Sequence, residues 1–173
     1  LQGDWSSDVC SSDLVAGAFR WRVSSAPILS GGPFSRFLGV DRSLWLIEGN
    51  GIEFTIDGAK HRLTRPLQQI DFAGEDSVSA ELLDGPVVDL NVMFARAHVQ
   101  ARTAIVANSN HAFSGNAHCV IVALGPASLR IQGQQGLKDF ALADGDALRA
   151  ELPADQRATI EVRGTVLCAE FGG

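Results

Sequence analysis

Residues 87–93 read VVDLNVM, an acid, an amide and a thioether alternating with aliphatic residues. On an extended strand Asp89, Asn91 and Met93 share one face, and Val88, Leu90 and Val92 share the other. A carboxylate and an amide on so apolar a strand must find partners if buried, because an unpaired buried carboxylate is costly. Two outcomes are open. Either they point into a pocket and bind ligand or water, or they hydrogen-bond a neighbouring loop and fix the sheet. A second group lies in residues 32–42, GPFSRFLGVDR, which carries Ser35, Arg36, Asp41 and Arg42. Gly32-Pro33 and Gly39 punctuate this stretch, so it reads as a turn-rich approach to a strand. An arginine there can grip a carboxylate ligand through its planar fork of donors. The alternative is an Arg–Asp pair, Arg36 or Arg42 with Asp41 or Asp89, that pins the loop. We expect Asp41 to be spent in such a pair and leave Arg36 open between the two roles. The candidate ligand-binding set is therefore Ser35, Arg36, Arg42, Asp89, Asn91 and Met93.

No metal or cofactor is expected. A strand presents alternate residues to one ion, yet none of the four histidines, His61, His98, His111 and His118, stands in a His-x-His pair. His61 lies in the charged triplet KHR, and His111 and His118 are seven residues apart; all four read as surface or structural histidines. There is no Ser-His-Asp spacing, phosphate-cradling glycine loop or CxxC. The glycines of GGP and GNG fall where strands turn, which their backbone freedom explains.

The elements that hold these residues are read after setting one segment aside. Residues 4–14, DWSSDVCSSDL, have neither a strand nor a helix period. They resemble the in-frame translation of a common sequencing-library adapter, so residues 1–14 are expected to be an adapter-derived artefact. The formal charge of −6 becomes −3 when Asp4, Asp8 and Asp13 are removed. A mildly acidic chain argues against a nucleic-acid or anionic-membrane partner held by charge. Outside that segment the cysteines are Cys119 and Cys168, both in apolar runs and expected as buried reduced thiols. No apolar run reaches the ~18 residues of a membrane span. A cytoplasmic location is the expectation.

Strand patterns run nearly throughout, with no sustained helical stripe. FRWRVSSAPI (19–28) alternates Phe19, Trp21 and Val23 with Arg20 and Arg22. SLWLIEG (43–49) reads as a buried strand, and GIEFTIDGAKHRL (51–63) as a hairpin turning at Asp57-Gly58. Strands at 67–74, 78–85 and 87–95 follow. A second series occupies 99–107, 118–125, 127–133, 137–142, 147–152 and 158–171. Many short strands with glycine turns imply an all-β sandwich or barrel. IEGNGIEFTIDG (47–58) and ALGPASLRIQG (123–133) share one plan, which fits two barrel halves with a boundary near 96–101 and would also fit one larger sandwich.

GGPFSRFLGVDRSLWLIEGNGIEF (31–54) and LLDGPVVDLNVM (82–93) closely resemble the HutD/Ves family of bacterial proteins. The family forms are close to GPFSRFPGVDR, then an apolar strand and EGDG, and close to GGPVRDFNLM. The resemblance covers roughly 19–171. It implies an all-β bicupin, two tandem antiparallel barrels, with a first cupin half at 15–97 and a second at 98–173. It further implies a link to histidine utilisation or stress response, and binding of a small pathway metabolite rather than catalysis. A homodimer is the assembly that analogy with bicupins suggests. Leu38 stands where proline is usual, Val88 where arginine is common and Leu90 where phenylalanine is usual. A segment close to MPWKNGGG, usual at the start of the family, is expected to have been lost to the adapter sequence. Metal-dependent cupins commonly use His-x-His, which is absent. The chain also has no tyrosine, a common general acid of metal-free cupin isomerases. Two other readings remain: an isomerase or hydrolase working through Asp89 or Glu48, and a structural or interaction module.

Overall fold

The computed structural model describes residues 7–14, 18–133 and 136–172, and every regular element among them is a strand. The chain divides into two compact units, residues 1–98 and 99–173.

The first unit holds β1 (Ser7–Leu14), β2 (Ala18–Ile28), β3 (Gly32–Pro33), β4 (Val40–Glu48) and β5 (Ile52–Ile56). It continues with β6 (Ala59–Leu63), β7 (Gln69–Ala73), β8 (Val78–Leu82) and β9 (Val87–Ala95). These form two antiparallel sheets, β1-β2-β9-β4-β7 and β3-β8-β5-β6. The second unit holds β10 (Gln100–Ala107), β11 (Asn110–Phe113), β12 (Ala117–Ala123) and β13 (Ala127–Gly133). It ends with β14 (Gly136–Leu142), β15 (Ala147–Leu152), β16 (Ala158–Arg163) and β17 (Thr165–Gly172). Its sheets are β10-β17-β12-β15 and β11-β16-β13-β14.

Adding eight to each strand from β2 to β9 reproduces the second unit's strand order. Backbone bonds fix the residue correspondence. Leu46 donates to Gln68 O and receives from Leu67 N, while Ala123 donates to Asp146 O and receives from Gly145 N. Leu67 and Gly145 both have positive φ, 67° and 78°. Leu46 and Ala123 are thus equivalent, and the ladders carry the match across each sheet.

The β5–β6 hairpin forms as its sequence directs. Asp57 and Gly58 have φ of 47° and 88°, the left-handed pair that a two-residue turn requires. Three features differ from the sequence pattern. Residues 158–171 are two strands, because Gly164 at φ 101° turns the chain. The short strands β3 and β11 carry too few residues to show a period. Segment 7–14, set aside on composition, pairs with β2 through two register shifts. Backbone hydrogen bonding needs no side-chain pattern, so its irregular sequence does not prevent pairing.

Each unit has an apolar core. In the first it gathers Leu44, Leu46, Ile52, Phe54, Leu63, Phe72, Val78, Ala80 and Val87. In the second it includes Val106, Phe113, Cys119, Ile121, Leu129, Ile160, Val162, Val166 and Cys168. Cys119 and Cys168 are free and buried, and burial pushes both thiols up to about 12.

Candidate ligand-binding site

The larger sheet of the first unit places a polar chain on its inner face. Opposed residues of an antiparallel ladder share a face. One row across β2, β9, β4 and β7 is Arg22, Met93, Arg42 and Phe72; the next is Ser24, Asn91, Leu44 and Ile70; a third is Ala26, Asp89 and Leu46. Asp89, Asn91 and Met93 therefore point to the core side with Leu44, Leu46 and Phe72. Val92 and Leu90, on the opposite face, are buried as well. A strand buried on both faces loses its inside–outside alternation.

Arg42, Asn91 and Asp89 are 6%, 7% and 3% exposed. Arg42 Nη2 donates to Asn91 Oδ1 at 2.8 Å, and Asn91 Nδ2 donates to Asp89 Oδ2 at 2.7 Å. The amide thus bridges cation and anion with both of its polar ends. Arg42 Nη1 leans on the Ser35 carbonyl at 3.4 Å. Arg42 Nε and Asp89 Oδ1 are buried without a hydrogen-bond partner. One unbonded donor and one unbonded acceptor thus belong to the buried face of one sheet, where polar groups are normally satisfied.

Three aromatic rings wall the guanidinium. Its carbon lies 4.9 Å from the Phe72 centroid, 5.3 Å from Phe34 and 5.7 Å from Phe37. Ring faces favour a cation, which offsets part of its desolvation. Desolvation still lowers the Arg42 pKa to about 10, against the charge of Asp89 and reinforced by Arg22; the group stays cationic at neutral pH. Burial raises Asp89 to about 6, outweighing the Asn91 hydrogen bond, the Arg42 charge and the Ala26 backbone N–H.

The remaining candidates separate. Met93 is buried in Arg42's row. Ser35 is exposed and gives only its backbone oxygen. Arg36 is exposed, and among the described residues it makes no hydrogen bond or ion pair. The Arg–Asp pair expected of Asp41 exists with a different arginine. Asp41 binds Arg96 at 2.7 Å, not Arg36 or Arg42. Val40 already begins β4, so the strand turns the Asp41 and Arg42 side chains to opposite faces. Arg96 also grips Glu75 through both terminal nitrogens and bonds the Val40 carbonyl. These contacts fasten the ends of β4 and β9 to the loop after β7. Glu48 is exposed at the end of β4, away from the polar chain's rows.

Sequence reasoning missed Arg22, Phe34, Phe37, Phe72 and Arg96. Phe34 and Phe37 flank Ser35-Arg36 in the same motif, a signal that was present. Arg22 was visible as the polar side of an alternating strand, but that side faces the core. The histidines are placed individually: His61 is exposed on β6, and His98 is exposed after β9. His111 lies 3.8 Å from Glu170 and edge-on to Phe113; His118 lies 4.0 Å from Glu151. Among the described residues no group of three or more His, Cys, Asp or Glu side chains is arranged to hold a metal ion.

In the second unit the ladder positions of Arg42, Asn91 and Asp89 are held by Cys119, Cys168 and Val166. The position of Met93 is held by Glu170, whose Oε2 accepts from Ser114 N at 3.0 Å and Ser114 Oγ at 2.9 Å.

Two antiparallel barrels in tandem, one with a polar interior, define a cupin-type fold. A cupin 2 conserved barrel domain protein from Leptotrichia buccalis matches with TM-score 0.51 at 13% identity, over 88% of this chain and 83% of that one. The chain belongs to the HutD family, whose model matches residues 8–168. It is 31% identical over 154 residues to the "uncharacterized 21.2 kDa protein in hutC 3′ region" of Pseudomonas putida, covering 88% of this chain and 79% of that one. It is 32% identical over 120 residues to protein Ves of Citrobacter koseri, covering 68% and 62%. HutD from Pseudomonas fluorescens SBW25, solved in a formate condition, superposes with TM-score 0.78 at 27% identity, covering 94% and 85%. No helix among the described residues is long and apolar enough to cross a membrane.

Proposed function

We propose that the first unit binds a small carboxylate metabolite without catalysing its conversion, and that this binding serves regulation of histidine utilisation in the cytoplasm. The observation that carries the reading is the buried Arg42 guanidinium, whose Nε lacks a partner inside a cage of three phenylalanines. A guanidinium in such a place suits an anion with planar acceptor geometry. Asp89 Oδ1 supplies a second fixed polar point for the ligand. Arg22, in Arg42's row, adds positive potential to the same compartment. The hutC-region name of the Pseudomonas putida relative supports a histidine-pathway setting.

Asp89 also keeps an enzymatic reading in view, because a carboxyl group titrating near 6 is tuned for proton transfer. Binding predicts dose-dependent thermal stabilisation by one of formate, urocanate, histidine or formylated glutamate, lost in Arg42→Gln. A ligand consumed in the presence of wild type but intact with Asp89→Asn would favour the enzyme. No stabilisation by any of these acids would contradict the proposal.

A further inference from the structure

We infer that the first unit takes up its carboxylate anion together with a proton, and that Asp89 is the group that receives it; this rests on the carboxylate reading above. The charges that bear on Asp89 are few. β4 supplies Arg42, tied to Asp89 through Asn91. β2 supplies Arg22, which stands in Arg42's row and not in that of Asp89. β7 offers Ile70 and Phe72 on this face. From the other sheet, β5 and β8 contribute Ile52, Phe54, Val78 and Ala80, all apolar. On β6, Leu63 joins the core, while His61 is exposed. Glu53 of β5 lies on the opposite face, paired with Lys60 and Arg62. Ser35 and Arg36, ahead of β4, are exposed.

Asp89 therefore depends on Arg42 for its stabilising charge, with the Ala26 backbone N–H as a weaker aid, and its Oδ1 makes no well-formed hydrogen bond. An anion seated on the vacant Arg42 Nε screens that guanidinium from Asp89. It also places a second negative charge in the same low-dielectric space. Two carboxylates around one shared cation do not both stay ionised easily, and the less well paired one takes a proton. The proton comes from solvent and forms an O–H bond at Asp89. The bond to hydrogen in hydronium or the buffer acid that delivers the proton breaks as the Asp89 O–H forms, and the ligand remains an anion on Arg42. The protonated Asp89 turns from a repelling charge into a donor. Binding consequently tightens as pH falls from 8 to 6, and it saturates once Asp89 is already protonated before the anion binds.

The test is calorimetric titration of sodium formate, and then of urocanate, into the full chain at pH 7 in buffers of different ionisation enthalpy. The expected result is a buffer-dependent heat that reports net proton uptake between zero and one, with affinity falling severalfold from pH 6 to 8. Asp89→Asn should bind with a buffer-independent heat and a flat pH profile. Should that variant not fold, the wild-type buffer dependence decides alone. Saturable binding to wild type with no buffer dependence would overturn the proton uptake while leaving the carboxylate reading intact. Absence of binding by these two acids, and by histidine and formylated glutamate titrated in the same way, at any pH from 5 to 8 would overturn both.

Discussion

The two units share one strand order, yet their interiors differ at the same ladder positions. Where the first buries Arg42, Asn91 and Asp89, the second buries Cys119, Cys168 and Val166. A barrel of this design can close with apolar or thiol side chains at these three positions, as the second unit does. The polar chain of the first is therefore not a requirement of the architecture. It carries a desolvation cost that a hydrophobic triad avoids, and replacing buried ion pairs with packed apolar groups is often neutral or stabilising. Its place in one unit alone is why we propose that unit as the binding one.

The largest effect that would sharpen this contrast is expected at Arg42. Arg42→Met leaves Asp89 buried without its cation. At pH 8 it should lower unfolding free energy by about 3–5 kcal/mol, the usual cost of breaking a buried pair. Denaturant melts should show a smaller loss at pH 5, where Asp89 is protonated and needs no cation. Equal losses at both pH values would break the assignment of Asp89 as the dependent charge.

Asp89 comes next. Its folded pKa, about 6, is raised above the ordinary value of 3.8. The stability tied to its neutral form is present below pH 4 and is lost as pH rises through 6. Wild type should thus lose about 2–3 kcal/mol relative to Asp89→Asn between pH 4 and 7, from a shift of roughly two units at 1.36 kcal/mol each. Paired denaturant melts across that range give the difference directly. Other carboxylates, such as Glu75, held near 2 by Arg96, titrate alike in both proteins and cancel.

In the second unit Cys168→Ala should cost about 1–2 kcal/mol, the loss of one small buried side chain. It should leave carboxylate binding unchanged, as read by thermal shift with ligand. Altered affinity in this variant would show that the second unit takes part in binding. The smallest effect belongs to Arg36→Ala. An exposed side chain with no hydrogen bond or ion pair among the described residues should change stability by less than about 0.5 kcal/mol in denaturant melts.

Much of this was legible in the sequence. The hairpin at Asp57-Gly58, the split into two strand series and the shared face of Asp89, Asn91 and Met93 follow from turn chemistry and a period of two. What was not legible depended on contacts distant in sequence. The bond between Arg42 and Asn91 spans 49 residues, and the pair of Arg96 with Asp41 spans 55. No local pattern distinguishes Arg42 from Arg36, six residues earlier. The start of β4 at Val40 decides it by giving Arg42 an inward parity and leaving Arg36 in the loop. Strand alternation also marks two faces without saying which is the interior. Arg22 stands on the polar side of its strand and yet lies on the core side, while the opposite face with Trp21 and Val23 is buried too.

The central claim is that Arg42 is the anion hook of the first unit. Nitrogen-15 spectra of the arginine Nε–H groups, followed while a small carboxylate is titrated, test it at the atom concerned. The account predicts that the Arg42 Nε–H resonance shifts downfield and saturates with the affinity measured by calorimetry. A ligand that binds saturably while that resonance stays in place would contradict it.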